Sequence, residues 1–313
     1  MTDEIDRRGF LKCMAWAGTG LVWTMAGGGV LSSCGLPQAV TSANTSGDFT
    51  FVQISDSHIG FNNVPNSDVT GTFQKAVAQL ANLQSRPAFV LHTGDVSHLS
   101  QPAQYDTVDQ VLTQARFDQV FYVPGEHDTF IDNGQAFLQR FGKGTTGNGW
   151  RSFDYKGAHF VGLVNVWNLK AGGFGVLGGD QLAWLRKDLE PLSSSTPVVV
   201  YAHVPLWAVY PSWGWGTSDA DQALTLLRRF GSVTVLNGHI HQILQKVEGN
   251  VTFHTAASTA FPQPAPGDGP APGPLRVVPE QLLSSLGVRQ VLFVATTGAP
   301  VIVDAQLSAT GAT

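Results

Sequence analysis

Five short segments of the sequence carry side chains able to bind metal: Asp56 with His58, Asp95, Glu126 with His127 and Asp128, His203, and His239 with His241. Asp-x-His and His-x-His put two side chains on one side of an extended segment, so each pair can grip one ion. Seven candidate ligands, Asp56, His58, Asp95, Glu126, His203, His239 and His241, are too many for one tetrahedral ion and suit two ions that share a carboxylate. Imidazole and carboxylate without sulfur favour iron, manganese, zinc or cobalt over calcium or a structural zinc. A single histidine of this kind is more often a satisfied core or loop residue. Here the clusters hold five of the nine histidines, and each follows the same local pattern.

That pattern is a short apolar, β-branched or aromatic run that stops at the ligands. The runs are Phe49–Ile54, Ala88–Leu91, Val120–Val123, Val198–Tyr201 and Val233–Leu236. Continuous runs of this length read as strands buried on both faces. Between them, Phe73, Val77, Leu80 and Leu83, then Leu182, Leu185 and Leu189, then Leu224, Leu227 and Phe230 recur at helical spacing. Strand, crossover helix, strand predicts a largely parallel sheet, whose ligands collect beyond the carboxyl ends of the strands. All five clusters are therefore expected at one edge. Gly94, Gly125 and Gly238 would let the backbone turn tightly there. Farther on, Pro262–Pro274 reads as a loop, and Val288–Ala295 with Pro300–Leu307 as a hairpin turning at Thr296–Ala299.

At 313 residues, 43% hydrophobic and 13% charged, the chain suits one large domain and is not disordered. A formal charge of −5 gives no broad basic surface, so no nucleic acid duplex is expected as a partner. The two cysteines, Cys13 and Cys34, leave the body without disulfides or thiolate ligands. Arg7-Arg8-Gly9-Phe10-Leu11-Lys12, followed by a glycine-rich apolar stretch to Leu31, resembles a twin-arginine export signal read by the twin-arginine translocase. Gly18, Gly20, Gly27, Gly28 and Gly29 make the same stretch a poor transmembrane helix. Leu31-Ser32-Ser33-Cys34 resembles a lipoprotein cleavage box; a lipid on Cys34 and a coincidental cysteine are both open. The expected organisation is a signal over 1–34, a flexible tether over 35–48, a catalytic domain over 49–307 and a tail over 308–313. The protein is expected outside the cytoplasm, periplasmic or anchored, touching membrane only through such a lipid.

Asp56-Ser57-His58, Gly94-Asp95, Gly125-Glu126-His127-Asp128, His203 with Pro205, and Gly238-His239-Ile240-His241 resemble, in order, the five blocks of the calcineurin-like metallophosphoesterases. The resemblance implies an α/β fold, a four-layer α/β/β/α sandwich with a dinuclear metal site at the strand C-terminal ends. It also implies two divalent or mixed-valence ions acting on a small phosphate ester, a diester or a monoester. Asp56, His58 and His241 would hold the first ion, His203 and His239 the second, with Asp95 bridging and His127 catalytic. Two departures stand out. Glu126 occupies the place of the family's usual asparagine, adding a negative charge and a methylene. His98, three residues past Asp95, is neither the tyrosine of purple acid phosphatases nor the aspartate of Ser/Thr phosphatases; it either orients His127 or lines the rim. Asp128 either holds the ring of His127 or caps local structure. Trp207, Tyr210, Trp213 and Trp215 follow His203 and either stack on substrate or pack. His159 and His254 are expected to be structural and His92 to be hydrogen-bonded in the core. In motif style the chain is nearest bacterial cyclic-nucleotide and glycerophosphodiester phosphodiesterases. The competing reading is a non-catalytic metal-binding or scaffold lipoprotein of the cell envelope.

Overall fold

The computed structural model describes residues 47–308 except 116, 168 and 171. The signal with Cys13 and Cys34, all but the last two residues of the tether, and the tail past 308 lie outside the described residues. In chain order the strands are β1 (Phe49–Ile54), β2 (Val90–His92), β3 (Val120–Tyr122), β4 (Arg151–Tyr155), β5 (Ala158–Gly162), β6 (Val198–Ala202), β7 (Val233–Asn237), β8 (Gln245–Glu248), β9 (Val251–Thr255), β10 (Gly287–Val294) and β11 (Ala299–Gln306). The helices are α1 (Val69–Ala81), α2 (Pro102–Gln114), α3 (Gln135–Phe141), α4 (Gly179–Leu189), α5 (Ala220–Leu227) and α6 (Pro279–Ser285). No helix among the described residues is long and apolar enough to cross a membrane.

Alternation along the continuous apolar runs creates four layers. Val52, Ile54 and Val90 pack with Phe73, Val77 and Leu80 of α1 and Tyr105 and Val108 of α2. Their neighbours Phe49, Phe51, Phe89 and Leu91 point the other way, onto Phe160, Val199, Tyr201 and Leu236. In β6 and β7, Val198, Val200, Val233 and Val235 turn outward to Leu182 and Leu185 of α4 and Leu224 and Leu227 of α5. Both faces of each central strand are thus buried, which is why these runs read as unbroken apolar sequence. Each phenylalanine in the middle layer contributes about 1.5–3 kcal/mol by leaving water.

The three helices expected from spacing are present, with Leu83 and Phe230 lying just past the ends of α1 and α5. The ligand-bearing strands fall in two sheets, as the four-layer α/β/β/α resemblance implies, and not in the one parallel sheet that strand–helix–strand alternation alone suggests. The first runs β11-β10-β1-β2-β3, the second β4-β5-β6-β7-β9-β8. β1, β2 and β3 are parallel, as are β5, β6, β7 and β9; the outer members are antiparallel. The C-terminal hairpin forms as expected, β10 and β11 pairing from Gly287↔Gln306 to Val294↔Ala299. Its first strand lies against β1, with Phe49 opposite Phe293. Pro262–Pro274 contains no regular element.

Candidate metal centre

Asp56, Asp95 and Glu126 follow β1, β2 and β3 of the first sheet; His203 and the pair His239 and His241 follow β6 and β7 of the second. The site therefore straddles the seam. The turns that carry it are unusual: Asp56 (φ 53°), His58 (42°), Asp95 (47°), His239 (72°) and His241 (55°) all have left-handed backbones. This corrects the expectation that Asp-x-His and His-x-His converge by strand alternation. The left-handed turns fall at the candidate ligands themselves, so their side chains are aimed by those turns and not by strand alternation. Each such residue costs about 1–3 kcal/mol and persists only where its surroundings hold it. Here the loops hold one another: Asp56 N–H donates to Gly94 O at 3.0 Å, His58 N–H to Asp95 O at 2.9 Å, and His239 N–H to Asp56 Oδ1 at 3.1 Å.

Two clusters result. In one, His241 Nε2 lies 3.3 Å from Asp56 Oδ1 and 3.2 Å from His58 Nε2. In the other, Glu126 faces two rings, its Oε2 2.9 Å from His203 Nε2 and its Oε1 3.0 Å from His239 Nδ1. Asp95 joins them: its Oδ2 is 3.4 Å from both His58 Nε2 and His203 Nε2. Asp56, His58 and His241, Glu126, His203 and His239, and Asp56, Asp95 and His203 each form a set whose ligand atoms are close enough for one ion.

The donor chemistry fits cations. His203 Nδ1 donates to Thr93 O at 2.7 Å and His241 Nδ1 to Phe261 O at 2.6 Å; a carbonyl only accepts, so each Nε2 is free to turn a lone pair inward. Glu126 Oε2 is buried and makes no well-directed hydrogen bond, even to the His203 nitrogen beside it. Although burial opposes it, the Asp95 and Glu126 carboxylates raise the pull of His203 Nε2 on a proton well above the ordinary histidine range, a pull that a cation at the Nε2 lone pair would satisfy in its place. Burial likewise opposes ionisation of Glu126, yet His239 and His203 hold its carboxyl well below the usual value. The pocket thus demands positive charge. His58 is driven the other way, well below the ordinary value, by burial and by the neighbouring His127, His241 and His98, and so stays a neutral lone-pair donor.

His127 sits at the mouth. Its N–H donates to Asp95 Oδ1 at 2.9 Å and its Nδ1 to His98 O at 2.9 Å, which leaves Nε2 outward. Burial disfavours its charge, but Asp95 and Glu126 raise its pKa above the usual value. His98 orients His127 through its carbonyl; its ring stacks on His127 at 4.6 Å, with Nδ1 3.3 Å from His58 Nδ1. Asp128 is fully buried and takes the N–H groups of Val96, Ser97 and Gly125, so of its two open roles it caps local structure. Burial, with Asp95 nearby, lifts its carboxyl to about 6. Gly94 and Gly125 have no room for a side chain: a Cβ would lie 2.4 Å from His203 Nδ1 and 2.1 Å from Asp95 Oδ1, respectively.

Of the aromatic candidates after His203, Trp213 and Trp215 are packing residues, whereas Trp207 and Tyr210 are half-buried. Trp213 and Trp215 are buried with Ile240, and Trp207 lies on Phe253. His92 Nε2 faces Ser57 Oγ at 3.0 Å in the core. His159 sits between Asp154 and Asp188, and burial and Arg289 hold His254 neutral, at about 3. Sequence reasoning did not find Phe261, whose carbonyl fixes His241 and whose ring lies 4.7 Å from that of His58, nor Phe130, an exposed ring 4.7 Å from that of His127. Backbone acceptors carry no side-chain signal.

Two α/β layers whose strand ends bring two carboxylate–imidazole sets face to face define a dinuclear hydrolase. The calcineurin-like phosphoesterase family model matches residues 49–243, and the chain belongs to that family. It is a metal-dependent phosphoric ester hydrolase. Among its relatives, a probable cyclic nucleotide phosphodiesterase of Synechococcus sp. (strain WH7803) is 34% identical over 61% of this chain and 74% of its own. The glycerophosphodiester phosphodiesterase GpdQ of Enterobacter lignolyticus is 25% identical over 63% of this chain and 71% of its own. The fold resembles a dimetal phosphatase from Danio rerio, with a TM-score of 0.53 and 15% identity over 83% of this chain and 99% of that one.

Proposed function

We propose that the protein is a phosphodiesterase, with Asp56, His58 and His241 holding one ion, Glu126, His203 and His239 a second, and Asp95 bridging them. The observation that carries the reading is the position of Asp95 Oδ2, 3.4 Å from a ring nitrogen of each set. Iron, manganese, zinc or cobalt suits these donors. When bound, such a pair supplies Lewis acidity toward the phosphoryl group and lowers the pKa of water. The protein's own part is to orient and to move a proton. The His98 carbonyl fixes the His127 ring, whose outward Nε2–H protonates the leaving alkoxide. Asp95 Oδ1 holds the His127 backbone, tying the acid to the ion bridge.

Two considerations favour a diester. The relatives named above hydrolyse cyclic nucleotides and glycerophosphodiesters by their names. The three carboxylates Asp56, Asp95 and Glu126 also leave two divalent ions less net positive charge than two would, which disfavours a dianionic monoester more than a monoanionic diester. Export by the twin-arginine route, with a lipid on Cys34, belongs to the same reading; Cys34→Ala should move the protein from the membrane fraction to the soluble extracytoplasmic one.

The test is hydrolysis of bis-p-nitrophenyl phosphate and p-nitrophenyl phosphate by metal-free protein given Mn²⁺, Fe²⁺, Zn²⁺ or Co²⁺. Metal-dependent turnover with the diester preferred is expected. Two bound ions without turnover of either ester would instead mark a metal-binding envelope protein.

A further inference from the structure

A charged side chain is buried between the two sheets. Arg289 of β10 is 1% exposed, and its guanidinium donates four hydrogen bonds to protein. Nε and Nη2 donate to Asp304 of β11 at 2.8 and 3.0 Å, Nη1 to Gln53 Oε1 at 3.0 Å, and Nη2 also to Thr255 O at 2.8 Å. Gln53, Arg289 and Asp304 are cross-strand neighbours in the first sheet, whereas Thr255 belongs to β9 of the second. The guanidinium therefore bridges the seam.

Beyond Arg289 the bonds continue in one direction. Gln53 Nε2 donates to Thr93 Oγ1 at 2.9 Å and to Asn237 O at 3.2 Å. Thr93 O receives the ring N–H of His203, and the Asn237 amide donates to Ala202 O at 2.9 Å and Val204 O at 3.2 Å, the carbonyls on either side of His203. Ring and backbone of one histidine are both held from the same amide hub. Gln53, Thr93, Asn237 and His203 are all fully buried.

Stability alone does not account for such a chain. A buried ion pair is often replaceable by apolar residues at no cost, and the surrounding middle layer is built of phenylalanine, valine and leucine. What an apolar filling could not do is present directed donors to Thr93 and Asn237. We propose that Gln53 and Arg289 are positioning residues of the metal centre. Through Thr93 and Asn237 they fix the orientation of His203, making the C-terminal hairpin, which lies past the matched family segment, part of the site's scaffold. This role rests on the reading that His203 binds the second ion.

The experiment titrates metal-free full-length protein with Co²⁺, following heat and visible absorption, in wild type, Gln53→Met, Gln53→Glu, Arg289→Met and Phe293→Leu. Phe293 is on the same strand as Arg289 but belongs to the apolar middle layer, so its variant controls for lost stability alone. Gln53→Glu keeps a partner for Arg289 but loses both donated bonds. In the Gln53 variants and Arg289→Met, the second Co²⁺ is expected to bind at least tenfold more weakly and with an altered spectrum, while the first binds as in wild type. Phe293→Leu, at a comparable drop in Tm, should bind both normally. Gln53 variants that bind both ions as Phe293→Leu does would overturn the proposal. Wild type that takes up fewer than two Co²⁺ would overturn the two-ion reading itself, and the role with it.

Discussion

Glu126 is the residue that most sets this site apart from the pattern it resembles. Its two oxygens face His203 and His239 at 2.9 and 3.0 Å, so under the proposed reading its extra charge falls on the second ion. Glu126→Asn should therefore raise turnover of p-nitrophenyl phosphate relative to the bis ester by about tenfold, the effect of about 1.4 kcal/mol; the ratio of the two kcat/KM values is the readout. His127→Ala should lower kcat on the diester by about 10²–10⁴-fold while elemental analysis still finds two ions per chain. At this scale the sequence was most legible: every candidate ligand lies in the clusters, because carboxylates and imidazoles announce themselves by type. His98 was less so. Its contribution to His127 is a carbonyl, and which way its ring turns depends on contacts with His58 and Phe61 that no local pattern encodes.

At the scale of elements, the tight turns after the strands are the working parts. Gly94 combines a φ of 97° with a close approach to His203, whereas Gly157, at φ 85°, faces open space. Alanine at either site pays for the backbone, but only Gly94→Ala also collides with the His203 ring. Urea midpoints should show Gly94→Ala less stable than Gly157→Ala by more than about 1 kcal/mol, with loss of bound metal in the first variant only. The strands that carry the ligands were readable because burial on two faces writes an unbroken apolar run. β8 was not: Gln245–Glu248 is largely exposed and has no apolar face to betray it. α2 was missed for a different reason. Its buried Tyr105, Val108, Val111 and Leu112 are diluted by polar residues, among them buried Gln104 and half-buried Asp109.

Across the whole molecule, the far side of the second sheet is pinned by a histidine outside the site. His159 of β5 donates to Asp154 of β4 and Asp188 of α4, at 2.7 and 2.9 Å. Burial opposes its charge, but Asp188 and Asp154 raise its pKa above 6.5. A raised folded value means the stabilisation is complete below the unfolded value near 6.5 and is lost as pH rises through the folded one. The Tm difference between wild type and His159→Gln should therefore be largest in mild acid and shrink toward alkaline pH; a difference constant with pH would refute the ion-pair account. The pairing of two sheets was the least legible level. Local runs identify strands, but which strands become neighbours depends on contacts far apart in the chain, and only the family resemblance supplied it.

That distance has a consequence in time. β1 takes its partner on one side from β10, about 240 residues later. On a ribosome adding about 5–20 residues per second, the open edge of β1 waits roughly 10–50 s for its neighbour. The loops bearing Asp56 and His58 stand on a strand that is only half paired until then. The candidate ligands are all synthesised by His241, before β10 arrives, so the strand beneath Asp56 and His58 gains its second neighbour only after the last of them has been made.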